Sequence, residues 1–280
     1  MTRLLAISDL HIGYRANREA VEALPEHPGD WLICAGDVGE TVEQLYWTLQ
    51  TLSQRFERVI WVPGNHELWT HPKCKVGGRG EDRYAVLVEA ARRAGALTPE
   101  DDWPEFQGHR ICPLFVGYDY SFTPDGVEDP LAWAREARIV AMDERLLHAD
   151  PHPSKAAWCH HRVELTEQRL AATPGPKVLI NHWPLRRDLV RLHKIPRYVP
   201  WCGTRATEEW HTRFDAKVVV TGHLHMRATD WRDGTRFEEV AVGYPRHWHT
   251  EKGLAAYLRT ILPHPPQPHP KGDEGPEWHR

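Results

Sequence analysis

Seven short runs of β-branched and aliphatic residues recur along the chain, each closing on polar or glycine-containing sequence: Leu4 to Ser8, Trp31 to Ala35, Val59 to Val62, Ile111 to Val116, Val178 to Ile180, Val218 to Thr221 and Phe237 to Val242. Runs of this length and composition read as buried strands. Helical patterns lie between several of them. From Val42, the apolar positions Leu45, Tyr46, Leu49, Leu52 and Phe56 follow helical spacing, with Thr41 placed to cap the first turn. Tyr84, Leu87, Val88 and Ala91 give a second stripe, and Trp133 to Leu147 and Ala156 to Ala172 look helical by composition and length. Alternating strands and helices predict a layered α/β fold. The 280 residues divide into a single domain over 1–262, with cap loops near 118–130 and 183–215, and a proline-rich tail over 263–280 that reads as extended or disordered.

Composition removes several classes. With 41% hydrophobic and 26% charged residues the chain is an ordinary globular one. No run approaches the roughly 18 apolar residues of a membrane span. A formal net charge of −4 argues against a protein built to neutralise nucleic-acid phosphates. The five cysteines are far apart and never spaced Cys-x-x-Cys, which disfavours a disulfide framework and fits a reducing cytoplasm. Asp9, the first candidate chemical residue, leaves no room ahead of it for a secretory signal, so a cytoplasmic location is expected.

The 19 histidines matter through their positions. Five segments put metal-ligating side chains just after expected strands: Asp9-Leu10-His11, Gly36-Asp37, Gly64-Asn65-His66-Glu67, Asn181-His182 and Gly222-His223-Leu224-His225. Strand carboxyl ends are where open α/β sheets bind ligands. In extended chain, Asp9 and His11 would point to the same side, as would His223 and His225. Glycines before Asp37, Asn65 and His223 permit close turns. Any one segment is unremarkable, and together they indicate a metal site.

As a set, these blocks resemble the calcineurin-like metallophosphoesterase superfamily, over Asp9 to His225. The resemblance implies a four-layer α/β/β/α sandwich of two mixed sheets flanked by helices. It implies one metal held by Asp9, His11, Asp37 and His225 and a second held by Asp37, Asn65, His182 and His223, with Asp37 bridging. Mixed Asp, His and Asn donors suit Mn, Fe, Co or Zn. Two such ions activate water and clamp phosphate oxygens. Two divalent ions against the carboxylates of Asp9 and Asp37 leave the site net positive even with a hydroxide added, and neutral Asn65 preserves that surplus. The activity implied is hydrolysis of a phosphate ester, with Asn65 and His66 on the phosphate and His66 able to protonate the leaving oxygen. The family commonly has Asp three residues after the bridging Asp, paired with that histidine; here the position is Glu40.

Further stretches, among them Tyr118-Asp119-Tyr120-Ser121-Phe122, Trp201-Cys202-Gly203-Thr204 and Trp210-His211-Thr212-Arg213, resemble the 4′-phosphopantetheinyl hydrolase branch, whose members remove phosphopantetheine from a carrier-protein serine. That resemblance implies an acyl or peptidyl carrier protein as partner; a phosphatase or phosphodiesterase for a small phosphorylated metabolite is the alternative. No nucleic-acid or membrane partner is expected. Tyr118 and Tyr120 are candidates to pack the arm, and His211 and Arg213 are candidate phosphate contacts. From Arg186 to Arg197 the chain carries Arg186, Arg187, Arg191, Lys194 and Arg197 against Asp188 alone. Such a basic rim, with Arg187 as a substrate contact, would steer an acidic partner.

Overall fold

The first strand, β1 (Leu4–Ile7), is buried on both faces: Leu4 and Ala6 join one apolar cluster, Leu5 and Ile7 another. The same division runs through the next two strands, with Ile33, Ala35, Ile60 and Val62 facing one way and Leu32, Cys34, Val59 and Trp61 the other. Side chains alternate across a strand, so a run apolar at every position must be covered on both sides. A computed structural model describing residues 2–71, 78–265 and 276–279 shows how.

The strands that follow are β2 (His27–Cys34), β3 (Phe56–Trp61), β4 (Ala96–Leu97), β5 (Glu105–Phe106), β6 (His109–Pro113), β7 (Lys177–Ile180), β8 (Ala216–Thr221), β9 (Ala228–Arg232), β10 (Thr235–Glu239), β11 (Arg259–Leu262) and β12 (Glu277–Trp278). They form a five-stranded sheet, β11-β1-β2-β3-β4, and a seven-stranded one, β12-β9-β10-β8-β7-β6-β5. Both are mixed: each has a parallel centre, and β11 pairs antiparallel with β1 as β9 does with β10. A parallel bridge from Ser8 to Ala241 ties the sheets together at their carboxyl ends.

The inner cluster, including Leu4, Ile33, Ile60, Ile111, Val178, Val218 and Val240, fills the space between the sheets. Outside the smaller sheet pack α1 (Arg15–Glu22), α2 (Val42–Ser53) and, beyond the short α3 (Asn65–Leu68), α4 (Gly80–Arg93). After α5 (Pro130–Glu136) and α6 (Asp143–Leu146) comes α7 (Lys155–Ala172), which with α8 (Trp210–Arg213) covers the larger sheet through Cys159, Val163, Leu170 and Trp210. This is the α/β/β/α sandwich.

Thr41 does cap α2, its hydroxyl accepting from Gln44 N at 3.2 Å. Phe56, however, opens β3 rather than ending α2. The helix expected from Trp133 to Leu147 is two short ones: Arg138 takes a positive φ of 59° just past α5, and Val140 and Met142 lie exposed, so no apolar stripe carries the helix onward. Asp233-Gly234, with φ of 51° and 78°, makes a two-residue turn between β9 and β10, a hairpin signal present in the sequence but not read as one. In the expected tail, Glu277–Trp278 pair with β9, while residues 266–275 lie outside those described.

Candidate metal centre

Asp9, His11, Asp37, Asn65, His182, His223 and His225 follow β1, β2, β3, β7 and β8 and converge at one end of the sandwich. His225 Nε2 lies 2.9 Å from Asp9 Oδ1 and 3.1 Å from His11 Nε2. His182 Nε2 lies 3.3 Å from Asn65 Oδ1 and 3.5 Å from Asp37 Oδ2. The same Asp37 oxygen is 4.0 Å from His11 Nε2, so it faces both groups. Ligand atoms about 2.1 Å from a shared ion stand roughly 3 to 3.4 Å apart; the separations of 2.9 to 3.5 Å are close to this, and the 4.0 Å gap from Asp37 to His11 is wider.

Hydrogen bonds leave one ligating atom free on several of these side chains. Asp9 Oδ2 accepts from Ser8 Oγ and from His223 N, the latter at 3.0 Å, which leaves Oδ1. Asp37 Oδ1 accepts from His66 N at 2.9 Å, which leaves Oδ2. His182 Nδ1 donates to Ala35 O at 2.8 Å, so in the neutral ring the lone pair lies on Nε2. Asn65 donates its amide to Asp143 Oδ1 at 3.0 Å, turning its own oxygen inward. His223 Nε2 is buried with no hydrogen-bond partner among the described residues. Such outer contacts commonly set the tautomer and aim of metal ligands. The donor set therefore fits two borderline transition-metal ions, with Asp37 between them.

Electrostatics point the same way. Burial pushes His11 and His223 each down to about 3, keeping them neutral. Burial opposes ionisation of Asp9 too, yet His225 holds it down to about 2. Burial likewise works against a charged His182, but Asp37 drives it up to about 10. Two buried carboxylates thus demand positive charge, and without ions the nearest imidazole supplies it.

The convergence does not come from extended chain. Asp9, His11, Asp37, His223 and His225 all have positive φ, 56°, 41°, 52°, 73° and 52°. Left-handed backbone at a non-glycine residue costs on the order of 1–3 kcal/mol, and such strain clusters at functional sites. Asp and His tolerate it better than most residues. Glycine is needed beside them for two different reasons. Gly36 has φ 88°, and at Gly222 a Cβ would run into Ser8 Oγ and the Asp9 carboxylate.

His66 sits beside the cluster, with Nε2 3.8 Å from Asp37 Oδ2 and Nδ1 3.3 Å from Glu40 Oε1. Glutamate at position 40 therefore reaches the histidine. Tyr118 is buried against Trp183, and Tyr120 donates to Glu144 at 2.9 Å. His211 is bonded to Asp233 and Arg213 to Glu167, and neither contacts the cluster among the described residues. The basic run is largely neutralised: Arg186 pairs with Asp188, Arg191 with Asp230 through two hydrogen bonds, and Arg197 with Glu136. Among the described residues, Arg187 and Lys194 have no ion pair. Burial pushes His247 down to about 4, with the charges of His225, Arg246 and, least, Lys194 adding to it, and its Nδ1 is 3.1 Å from that of His225.

Two supporting carboxylates escaped the sequence reading. Buried Glu67 accepts from Asp37 N, Val38 N and Gly64 N, pinning the two ligand loops together. Its place three residues after Gly64 is a capping-box position, which could have flagged it. Asp143, buried in α6, also accepts from Trp69 Nε1 at 2.8 Å, and no local signal marked it. Asp143→Ala should free the Asn65 amide and lower affinity on the Asn65 side by about 10- to 100-fold, leaving the Asp9 side loaded. Metal titration by calorimetry with elemental analysis after dialysis would check this, and two unchanged sites would contradict it.

Residues 2–227 match the model of the calcineurin-like phosphoesterase family. The chain is 46% identical over 272 residues to the acyl-carrier-protein phosphodiesterase PptH of Mycobacterium tuberculosis, covering 94% of this chain and 84% of that one. The crystal structure of phosphopantetheinyl hydrolase PptH from the same organism superposes with a TM-score of 0.89 at 44% identity, over 96% of this chain and 99% of the other.

Proposed function

Since the chain belongs to the calcineurin-like phosphoesterase family, we propose that this phosphoric ester hydrolase cleaves the diester joining 4′-phosphopantetheine to a carrier-protein serine. One observation carries the substrate: the likeness to a carrier-protein phosphodiesterase extends over 94% of the chain. Pockets diverge faster than metal sites, so agreement that broad speaks to substrate as well as chemistry.

Bound Mn, Fe, Zn or Co ions would activate water and neutralise the phosphate. The chain's own residues do the rest. Asp9, His11, Asp37 and His225 would hold one ion, and Asp37, Asn65, His182 and His223 the other. Asn65 and His66 orient the phosphate. His66, aimed by Glu40, protonates the serine oxygen as it leaves. The four described cysteines are buried and unpaired, which accords with a reducing cytoplasm, and no described helix is long and apolar enough to cross a membrane.

Mass spectrometry of a holo carrier protein incubated with the enzyme and Mn²⁺ tests the reading. Loss of the phosphopantetheinyl mass is expected. An unchanged carrier alongside rapid hydrolysis of small esters would favour the metabolite phosphoesterase instead.

Because Arg191 is held by Asp230, the steering charges are Arg187 and Lys194. Reversing both to Glu should lower kcat/KM for an acidic carrier by about tenfold at low salt. The difference should shrink as the screening length contracts to about 8 Å at physiological ionic strength. Salt-dependent kinetics of the double variant check this, and a carrier rate insensitive to both changes would show that the rim does not meet the partner.

A further inference from the structure

Of the tyrosines around the metal centre, Tyr120 donates its hydroxyl to Glu144, and the Tyr118 hydroxyl is shut away from solvent. Tyr198 and Tyr244 differ. Both side chains are half-buried, and among the described residues neither hydroxyl has a hydrogen-bond partner; neither is a buried unpartnered atom, so solvent reaches both.

Backbone and ring contacts fix where these two stand. Val242 N donates to Ser8 O and Gly243 N to Asp9 O, each at 2.9 Å, which sets Tyr244 beside the first ligand loop. The centre of its ring lies 4.6 Å from that of His11 and 5.0 Å from that of His225. From the cap, the short helical turn Pro196–Trp201 brings the Tyr198 ring to 6.2 Å from that of His223. Trp201, 5.3 Å from Tyr198, is anchored through its Nε1 to Glu144 at 2.9 Å. One phenol thus packs against ligands proposed for each ion. Burial raises both phenols, and the Asp37 carboxylate adds to each, joined at Tyr244 by Asp9 and Glu40 and at Tyr198 by Asp143 and by Tyr244 itself. Both hydroxyls therefore stand near the same carboxylates and near one another.

We infer that Tyr198 and Tyr244 donate their hydroxyls to the non-bridging oxygens of the bound phosphodiester, one beside each ion position. The inference rests on the ligand set proposed above and not on which alcohol the ester carries. A phenol, which ordinarily titrates at about 10, is a donor at neutral pH. A phosphodiester at the ion positions brings charged terminal oxygens to two donors that the protein leaves unpaired, and hydrogen bonds to an ionised acceptor are roughly twice as strong as neutral ones.

Tyr198→Phe and Tyr244→Phe each remove an oxygen that no described residue bonds, so thermal midpoint and metal content should not move. Inorganic phosphate, titrated calorimetrically into the metal-loaded enzyme, should bind each variant about 10- to 100-fold more weakly, the worth of one hydrogen bond to a charged group. kcat/KM for bis(p-nitrophenyl) phosphate should fall by a similar factor. Variants that bind phosphate and turn over as the wild type does overturn the inference. A loss confined to one variant keeps that tyrosine and removes the other. A fall in metal content would make the tyrosine a support of the ligands and overturn its contact with phosphate. Should Asp37→Asn retain both metals, the ligand set falls and this inference with it. If that variant loses metal while both phenylalanine variants keep full phosphate affinity, the ligand set stands and the tyrosine contacts fall.

Discussion

Asp37→Asn is expected to abolish measurable phosphodiesterase activity while leaving the fold in place. The substitution is nearly isosteric and keeps an oxygen to accept from His66 N, the bond made by Asp37 Oδ1 at 2.9 Å. What it removes is the second oxygen, 3.5 Å from His182 Nε2 and 4.0 Å from His11 Nε2. An amide nitrogen there is a donor and cannot ligate. In the proposed centre both ions would share that atom, so the loss should exceed the roughly 100-fold ceiling for outer-sphere supports. Elemental analysis should find well under two metals per chain, with an unchanged circular dichroism spectrum. Full metal content with unimpaired turnover would overturn the bridging role.

His66→Asn should behave differently, keeping both metals and losing kcat. The ring contacts Glu40 through Nδ1 and presents Nε2 toward Asp37 Oδ2, 3.8 Å away, where a phosphate would sit. Its ring also packs on that of Trp69, centroids 3.7 Å apart, so its aim is mechanically held. Removing a general acid costs about 10²- to 10⁴-fold. That full loss is expected for an alkyl ester such as phosphoserine in the carrier. A p-nitrophenyl ester, whose leaving group hardly needs a proton, should lose far less. Equal losses on both substrates would assign His66 to positioning the phosphate alone.

Much of the centre was legible from spacing, although one physical reason was mistaken. Asp9 and His11 do converge with His223 and His225, yet through left-handed turns beyond β1 and β8 rather than along extended strands. The strand ends were visible because the apolar runs stop there. The turn geometry was not, because it is set by contacts such as Gly222 against Ser8 and Asp9, which join segments far apart in the chain. The basic run failed for the opposite reason. Local charge counts cannot see that Asp230, on β9, and Glu136, on α5, fold back to neutralise Arg191 and Arg197.

By itself the sequence determined the alternation of strands and helices and marked the candidate ligands. Runs such as Leu4 to Ile7, apolar at every position, require cover on both faces, while the cover itself, helices on one side and a second sheet on the other, was implied by the family resemblance and shown by the tertiary structure. Ligand identity was likewise local, since each block carries its donor type next to its strand. Tertiary structure alone decided which atom of each ligand faces the ions and which side chains hold it there. Asn65 aims its oxygen inward because Asp143, 78 residues away, takes its amide. That partner exists only because the helix expected through Trp133–Leu147 breaks and restarts at Asp143. Backbone periodicity is written residue by residue, whereas a buried hydrogen bond depends on where two distant segments pack.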